Sequence, residues 1–417
     1  MKKIKIGVFG ARRGMDIATY FMMQDCEVVA LCERRKDVAQ NAMKKLPSTA
    51  VLYEDFDEFI KHDMDAVILG NNCNEHAPYA IKCFERGIHV YSECLSNSTM
   101  AEGVELIRAF EKSKSIYMIA ENYPQMIFNR EMKKLVEGGT LGKILYAEGE
   151  YNHPGDPFNF KSKKSVNYFP KHWRNFLPRT YYITHSLGPV MWITGATPKR
   201  VTAMAAFAPP ADDVPTMSYN GDRVAVLMTQ NDDGSIFRVV GHSSFGGGMH
   251  NSYRVCGTEG QIENIRGMDP KVMLRYNEWN KPEGAETSKL YTPEWNDKDE
   301  ELIKKSGHGG GDYLTPRMFI ECIREGKQPE HPFEIYSAVT MSSVAILGHR
   351  SVLDGGTPYD IPDFHLEEER VKYENDRLSP FYGADGSAPT IPCCSHTDYK
   401  PTEKQIQQCL DGMAKED

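Results

Sequence analysis

The sequence predicts an α/β fold in two parts: a doubly wound N-terminal domain with a parallel sheet, then an α+β domain with a large open, mostly antiparallel sheet. The length of 417 residues is typical of two domains. Up to about residue 120, short apolar runs alternate with helix-like segments, which indicates a parallel sheet with right-handed crossovers. Beyond Glu121 the chain changes to successive strand-like runs separated by turns, the pattern of an antiparallel sheet.

The elements of the first part follow from the apolar runs and their spacing. Short β-branched and aliphatic runs predict strands, and apolar residues that recur every three to four positions predict helices. The predicted strands are 5–9, 27–32, 66–69, 89–91 and 116–120, and the predicted helices are 14–23, 36–45, 77–86 and 101–112.

The second part begins with a predicted helix over 128–137 and a strand over 144–153. A long loop with several prolines, lysines and aromatic residues follows, and four more strands are predicted at 201–206, 223–229, 235–241 and 253–257. Residues 366–417 are polar and contain several prolines, so we expect a partly ordered arm there.

Composition and charge exclude several classes of protein. The hydrophobic fraction of 40% and the aromatic fraction of 10% exclude a mainly disordered chain. A net charge of −9 gives no reason to expect nucleic acid or an anionic membrane as partner, and no apolar run approaches the roughly 20 residues of a membrane span. Ten scattered cysteines without a CxxC pair predict a reducing compartment, the cytoplasm. None of the 13 histidines forms a zinc-type cluster, so no metal is expected.

The first strand runs into a turn that could bind a phosphate group. Gly10 and Gly14 flank Arg12 and Arg13, and the helix that follows would point its N-terminus at a pyrophosphate. Arg12 stands where a clean GxGxxG motif has its second glycine, so an ordinary strand–helix turn is the alternative interpretation.

An acidic residue at the end of the second strand strengthens the nucleotide interpretation. Glu33 lies about 20 residues beyond the turn, where a carboxylate accepts the ribose hydroxyls of an adenosine. A carboxylate there favours NAD over NADP because it repels a 2′-phosphate. Arg34 follows directly and could reverse that preference, or it could be part of a solvated loop.

Four further segments occur in the order of a known family pattern. Segment 65–76 resembles its third nucleotide-binding strand and loop, 87–93 the strand before its Glu-Lys-Pro motif, 120–123 its crossover to the second domain, and 142–144 the turn that opens the second sheet. Over roughly residues 1–362 the chain thus resembles the Gfo/Idh/MocA family of nicotinamide-dependent oxidoreductases. The resemblance implies a Rossmann domain and further cofactor-binding residues at Asn71, Asn74, His76, Glu93, Cys94 and Asn122.

Cys94 is a departure from that family. The family's dehydrogenases carry the lysine of Glu-Lys-Pro near the nicotinamide and the reacting hydroxyl, whereas this chain reads Glu93-Cys94-Leu95. A thiol with an ordinary pKa of about 8.5 is a poor substitute for an ammonium group. Either another residue handles the proton or the chemistry differs. Cys94 is a possible nucleophile or, the favoured interpretation, a small packed residue.

A second departure points to one branch of the superfamily. The run 182–190, Tyr-Ile-Thr-His-Ser-Leu-Gly-Pro-Val, resembles the NAD-dependent glycosidases of the α-N-acetylgalactosaminidase type, and segments 147–153 and 307–312 are similar to that branch as well. Such enzymes also lack the lysine. In them, oxidation at C3 of the sugar acidifies the C2 proton, the aglycone leaves by elimination, water adds and the ketone is reduced, so the pair of carboxylates that most glycosidases use is not needed.

Three residues are the catalytic candidates. His185 is the first choice as base, because imidazole titrates near neutral pH. Its alternative role is a structural histidine at a helix start with Thr184 as the N-cap. Tyr182 lies three residues earlier, and Tyr151 lies on a strand where it could act as an acid or a base or bind a sugar hydroxyl.

Five residues are candidates for contact with a carbohydrate. His153 shares a strand face with Tyr151. In the loop before the catalytic run, Trp173 could stack on a pyranose and Arg174 could bind hydroxyls or an anionic substituent, although a solvated basic loop is the alternative. His308 and Asp312 flank three glycines in a possible active-site loop, or in a helix-capping turn.

These observations predict an NAD-dependent oxidoreductase that transfers a hydride between a ring hydroxyl of a sugar or glycoside and nicotinamide. The first alternative is the redox-neutral glycosidase, and the second is a non-catalytic cofactor-binding sensor. Residues 1–122 are assigned to the NAD(P)-binding domain, 123–365 to substrate binding and oligomerisation, and 366–417 to the arm. The resemblance also implies a homo-oligomer through the second sheet.

Overall fold

The computed structural model describes residues 2–166 and 168–416, and its first sheet is the predicted parallel one. The strands of this sheet are Ile4–Phe9 (β1), Cys26–Cys32 (β2), Val51–Tyr53 (β3), Ala66–Leu69 (β4), His89–Ser92 (β5) and Tyr117–Ile119 (β6). All neighbours pair in parallel, in the order β3-β2-β1-β4-β5-β6. This is the strand order of a dinucleotide-binding domain, whose ligand binds at the carboxyl ends of the strands.

The helices around this sheet are Arg13–Met22 (α1), Lys36–Met43 (α2), Phe56–Phe59 (α3), His76–Glu85 (α4) and Met100–Glu111 (α5). The predicted strands and helices of this domain are confirmed with shifts of one or two residues at their ends. The omission of β3 and α3 from the prediction was wrong. Strand β3 has only three residues, of which Val51 and Leu52 are exposed, and helix α3 has only four. Segments this short do not contain a full repeat of apolar residues, so the sequence pattern does not reveal them.

The second sheet has nine strands. They are Ile144–Asn152 (β7), Pro198–Phe207 (β8), Asp222–Asn231 (β9), Ile236–Ser243 (β10), His250–Gly257 (β11), Gly260–Asn264 (β12), Val272–Tyr276 (β13), Ser288–Tyr291 (β14) and Tyr359–Asp360 (β15). Their order is β14-β13-β12-β11-β7-β10-β9-β8-β15. The prediction of one large, mostly antiparallel layer is confirmed, with β7 and β10 as a parallel pair at its centre.

The remaining helices are Ile127–Glu137 (α6), Phe160–Ser165 (α7), Thr184–Thr194 (α8), Glu300–Lys305 (α9), Gly311–Glu325 (α10), Ile335–Leu353 (α11), Glu367–Arg370 (α12) and Glu403–Ala414 (α13). Helices α8 and α11 cover one face of the second sheet, where Leu187 and Val190 of α8 are fully buried. No helix in the described ranges combines the length and the apolar character that crossing a membrane requires.

The expectation of a partly ordered C-terminal arm was wrong. From α12 onward the chain packs against the body of the protein, with Phe381, Cys393, Cys394 and Cys409 buried. Arg350 on α11 forms a two-point ion pair with Asp376 of the arm, at 2.5 and 2.6 Å. The anchoring side chains are too widely spaced along the sequence to produce a periodic apolar signal, so composition alone suggested looseness.

Candidate active site

A buried histidine–glutamate pair lies between the two sheets. His185 is the second residue of α8, and its Nδ1 lies 2.8 and 3.0 Å from the two carboxylate oxygens of Glu121, just beyond β6. The Glu121 side chain is fully buried and that of His185 is 12% exposed. Because an ionised carboxylate can only accept, Nδ1 donates, and the neutral ring presents an unprotonated Nε2. Nε2 has no hydrogen-bond partner among the described residues.

Two glycines allow this pair to form. A Cβ at Gly149 of β7 would lie 1.9 Å from the carbonyl oxygen of Ser186, so α8 packs directly on the strand. A Cβ at Gly188 would lie 2.8 Å from Cγ of Glu121. Helix α8 is therefore held between the sheet and the glutamate, which fixes the direction of His185. Thr184 is the first helical residue and not the N-cap that the structural alternative supposed.

Charge and hydrogen bonding keep Glu121 ionised. Burial alone would raise the pKa of this carboxyl, but the interaction with His185 and the hydrogen bonds from His185, Thr184 and the Tyr123 backbone outweigh it, so the pKa lies below its usual range. Glu121 is therefore a permanent acceptor for His185, which is what orienting a catalytic base requires.

Three tyrosines surround the imidazole. The Tyr123 ring stacks on His185 at 4.2 Å between centroids, Tyr151 meets it edge-on at 4.8 Å, and Tyr182 lies 5.2 Å away. Burial is the main cause that raises the pKa of all three phenols, and the donation from Tyr151 to Tyr123 raises that of Tyr151 further. At neutral pH these groups hold their protons and act as hydrogen-bond donors.

Cys94 lies beside the pair, where the family pattern has lysine. Its Sγ is 3.6 Å from Oε2 of Glu121, and the residue is buried. Burial, then the negative charges of Glu121 and Glu93, raise the pKa of the thiol well above its usual value. A thiol that stays protonated is not a nucleophile at neutral pH, which favours the packed-residue interpretation.

A polar network connects the glycine turn with the second domain. Arg13 bonds Glu93 at 2.8 Å and Asp312, the second residue of α10, at 3.0 Å. Asp312 also accepts from Asn122 at 2.8 Å and pairs with His308 at 2.8 Å. Of the two candidate substrate residues in this network, Asp312 contacts predicted cofactor residues directly and His308 contacts Asp312, and the network connects α10 to the start of α1.

The glycine turn forms a cradle that fits a dinucleotide. Gly10 has φ +92°, and a Cβ there would lie 2.5 Å from the carbonyl oxygen of Gly70. A Cβ at Gly70 would in turn lie 2.6 Å from the Gly14 nitrogen. At the carboxyl ends of β4 and β6, the Oδ1 atoms of Asn71 and Asn122 are buried without a hydrogen-bond partner. A bound nicotinamide nucleotide carries amide and hydroxyl donors that would satisfy such oxygens.

A cavity of about 420 Å³ runs along this turn. The predicted cofactor residues that line it are Gly10, Arg12, Arg13, Glu33, Arg34 and Asn71. The Glu33 carboxylate accepts from the backbone N–H of Ala11 at 3.0 Å and of Arg35 at 2.9 Å, so it stands at the adenosine end of the cavity. The geometry agrees with the position a ribose-binding carboxylate needs.

The loop before α8 covers the cavity. Trp173 and Arg174 line it, with the Arg174 guanidinium 4.3 Å from the centre of the Trp173 ring. No carboxylate in the described ranges lies within 4 Å of the Arg174 guanidinium. Its positive charge acts against the rise in the pKa of Tyr151 and of Tyr182, which places it close to the catalytic candidates as well.

His153 lies at the end of β7, beside a histidine and an arginine that the sequence analysis did not identify. Its ring is 5.7 Å from Tyr151 and 6.0 Å from His242. His242 accepts from the Arg179 guanidinium at 2.8 Å, and burial followed by the Arg179 charge lowers its pKa well below the usual value. His242 is therefore an uncharged side chain at the edge of the site.

Six of the predicted cofactor residues are not among the residues that line the cavity: Gly14, Asn74, His76, Glu93, Cys94 and Asn122. His76 is buried, and its Nδ1 bonds the Leu95 carbonyl oxygen at 2.7 Å. Their roles stay predictions. Glu121 and Tyr123 were not proposed as site residues, although both occur in the segment 120–123 that the family resemblance used. A carboxylate directly after a buried strand was the available signal, because strand ends meet at one edge of the sheet.

Comparison with known families identifies both domains. Residues 4–121 match the model of the Gfo/Idh/MocA oxidoreductase family, NAD-binding Rossmann fold. Residues 130–369 match the model of the glycosyl hydrolase 109 C-terminal domain, which is more than half of the chain. The predicted family and an NAD cofactor are thereby confirmed, and so is the glycosidase branch.

Curated relatives agree along almost the whole chain. A glycosyl hydrolase family 109 protein from Streptomyces niveus is 24% identical and covers 93% of this chain and 81% of its own length. One from Stenotrophomonas maltophilia (strain K279a) is 24% identical, with 87% and 89% covered.

Solved structures share the fold. Levoglucosan dehydrogenase in complex with NADH and L-sorbose superimposes with a TM-score of 0.70 at 17% identity, covering 87% of this chain and 100% of its own. A myo-inositol 2-dehydrogenase from Lactobacillus plantarum gives 0.65 at 19% identity, with 86% and 100% covered. At these identities the likeness describes architecture.

Proposed function

The chain belongs to the glycosyl hydrolase 109 family, and from that membership we propose that it cleaves a glycoside by transient oxidation of a ring hydroxyl, with NAD as a retained cofactor. The observation that carries the proposal is the His185–Glu121 pair, in which Glu121 bonds Nδ1 and three tyrosines surround the ring. The pair supplies a base at a site where the described residues include no pair of free carboxylates of the kind a conventional glycosidase uses.

His185 is the residue that accepts the proton of the reacting hydroxyl. Glu121 orients the ring through Nδ1, and its negative charge stabilises the imidazolium that forms. When NAD is bound, it accepts the hydride of the carbinol carbon and can later return it. Oxidation at C3 acidifies the neighbouring C2 proton, which makes removal of the C1 substituent possible without an acid–base pair of carboxylates.

Tyr151 is assigned the role of proton donor. Its raised pKa keeps the phenol protonated, and its ring lies 4.8 Å from that of His185. A phenol in this position can hydrogen-bond the substrate oxygen or the departing aglycone. Tyr182, with its ring 5.9 Å from Tyr151, forms the wall behind it.

Trp173 and Arg174 are proposed to hold the sugar from the opposite side. They lie on the covering loop, and Arg174 has no carboxylate partner among the described residues. An aromatic face stacks on the C–H surface of a pyranose, and a guanidinium donates to hydroxyl oxygens. His153 and the Asp312–His308 pair are proposed to complete the sugar and cofactor contacts.

The test is turnover of p-nitrophenyl glycosides by the purified protein, with and without added NAD, while absorbance is followed at the nitrophenol and NADH bands. Release of nitrophenol without accumulation of NADH is the expected result. His185→Asn should abolish it, since the amide is not a base.

A matched control uses a second histidine–glutamate pair. His250 bonds Glu150 at 2.7 Å on the other face of β7, and His250→Asn should leave turnover unchanged. NADH formation in step with a ketosugar, without nitrophenol, would contradict the glycosidase proposal and identify a sugar dehydrogenase. Bound NAD without either signal across a broad panel would support a cofactor-binding sensor.

We also propose that the protein forms a homo-oligomer through the outer face of the second sheet and works in the cytoplasm. Met204, Val226 and Met228 are exposed there and adjacent in the strand register. Met228→Glu should reduce the mass measured by light scattering if this patch is an interface. All ten cysteines are unpaired thiols, which suits a reducing compartment.

A further inference from the structure

Helix α13 packs on the short helix α7, which lies next to the nucleotide cavity. Cys409 and Met413 of α13 form a buried cluster with Met217, against which Phe160 of α7 and Tyr168 pack. The contact is close: a Cβ at Gly412 would lie 2.5–2.6 Å from three carbons of the Phe160 ring. The two helices therefore move together.

Helix α7 in turn reaches across to the nucleotide domain. Arg12 of the glycine turn donates to Oγ of Ser165 at 2.9 Å, and Arg35 donates to the Ser165 carbonyl oxygen at 2.8 Å. Both arginines line the cavity, as does Val166. The end of α7 thus contacts the side of the cavity where Glu33 lies.

Helix α13 is fixed to the second domain at its other end. Thr402 and Gln405 form a capping box, and Gln405 donates to the Ala211 carbonyl oxygen at 3.0 Å. Upstream, the Ser395 hydroxyl and backbone both donate to Asp222 of β9. The arm is anchored on the second domain, and its helix α13 keeps α7 in contact with the nucleotide domain.

We infer that α13 is a strap that sets how long NAD stays bound. Helix α7 contacts the nucleotide domain through two hydrogen bonds to Ser165, which are partly exposed and individually weak. The buried apolar packing of α7 against α13 stabilises this position of α7 more than those two bonds do. For NAD to leave, α7 has to lift, and lifting it separates Phe160 from α13. The inference rests on NAD binding in this cavity, and it is independent of the glycosidase chemistry.

The experiment measures release of bound NADH in stopped flow, as loss of its fluorescence when excess NAD is added to the NADH-loaded full-length protein. Gly412→Val should accelerate release roughly tenfold, the equivalent of about 1.4 kcal/mol. Valine is a better helix former than glycine, so a helix-propensity effect has the opposite sign. Gln407→Val on the exposed side of α13 is the control and should release NADH at the wild-type rate.

A double variant distinguishes an effect on NADH release that passes through α7 from a general disturbance of the structure. Phe160→Ala should also accelerate release, and Gly412→Val should add nothing in the Phe160→Ala background, because the obstructing ring is gone. Wild-type release rates in both single variants, with the native circular dichroism spectrum kept, would overturn the inference. An equal effect of Gly412→Val with and without Phe160 would overturn the path through α7. Since release is measured without a glycoside, failure of the strap and failure of the proposed activity are distinguishable.

Discussion

Two histidine–glutamate pairs lie on opposite sides of strand β7. On the inner side, His185 bonds Glu121 at 2.8 Å, and on the outer side, His250 bonds Glu150 at 2.7 Å. The distances are the same within 0.1 Å. Glu121 is fully buried and pairs with His185, whereas Glu150 also pairs with Arg266 at 2.9 Å.

The difference lies in the surroundings. On the outer face, Arg266 binds the same carboxylate as His250. The neighbouring Glu148 on that face also pairs with two arginines, Arg238 and Arg254. The inner pair has aromatic rings around it and an imidazole nitrogen left free. The same two side chains therefore belong to a network of arginine pairs in one place and form a candidate oriented base in the other, so we expect the function to depend on what surrounds the pair.

The largest expected effect tests the two carboxylates directly. Glu121→Gln should lower turnover by about a hundredfold or more, since the orientation and the charge that support His185 are both lost. Glu150→Gln should change turnover by less than about twofold, because it touches no reacting group. The comparison fails if the initial rates of the two variants, measured on the same glycoside, are equal.

Next in size is the loss of the inner phenol. Tyr151→Phe should lower kcat by about ten- to hundredfold, the cost of one hydrogen bond to a charged reacting oxygen. Tyr146 is on the same strand with its side chain beside Glu148 on the outer face, and Tyr146→Phe is the matched control. A KM effect without a kcat effect would reassign Tyr151 to substrate binding.

A pH-dependent stability effect is expected from Asp312. Burial would raise the pKa of its carboxyl, but His308 and Arg13 hold it well below the usual range. A depressed pKa stabilises the fold above the unfolded value of about 3.9, and the contribution is lost as the pH falls through the folded value. Asp312→Asn should therefore lower the free energy of unfolding at pH 7 by about 2 kcal/mol, less than for a fully buried pair because Arg13 is one third exposed.

Urea denaturation at several pH values measures this contribution. The gap between wild type and Asp312→Asn should begin to narrow only below about pH 4. Glu148→Gln on the outer face, whose arginine partners are more exposed, should show a smaller gap at pH 7. A gap that stays constant down to pH 2 would show that the carboxylate charge is not the cause.

The smallest effect is expected at the cysteine beside the inner pair. Cys94→Ala should retain turnover within about threefold, because its thiol stays protonated and is no nucleophile. Cys256 of β11, whose Sγ bonds Gln261 at 3.4 Å, gives the outer-face comparison. Rapid alkylation of Cys94 by iodoacetamide at pH 7, or loss of activity in the alanine variant, would contradict this assignment.

Periodicity predicted helices α1, α2 and α4–α6 and strands β1, β2 and β4–β11, but it gave none of the elements between β11 and the arm, where β12–β15 and the long helices α10 and α11 lie. It did not reveal β3 or α3, which are too short, or the packing of the C-terminal arm, whose anchors depend on distant partners such as Asp222. Individual site residues divide in the same way. Gly10, Glu33 and His185 belong to local motifs, and each could be predicted from its own neighbourhood.

The partners of those residues could not. Glu121 lies 64 positions from His185, and Arg179 meets His242 across 63. The order of residues along the chain does not show which distant residues meet in the fold, unless a family resemblance supplies that information. The same limit explains why His308 and Asp312 were assigned to the sugar, although the fold brings Asp312 to Arg13 of the glycine turn.

The spacing between Glu121 and His185 has a consequence for biosynthesis. As the chain emerges from a ribosome, the first sheet can form before His185 has been translated, and Glu121 then stays hydrated because Gly188 of α8, which packs against it, is still absent. Such a nascent domain is expected to stay open at that edge. The polypeptide thus completes its nucleotide domain only when α8 arrives, so folding of the two halves is coupled through the pair that is proposed to do the chemistry.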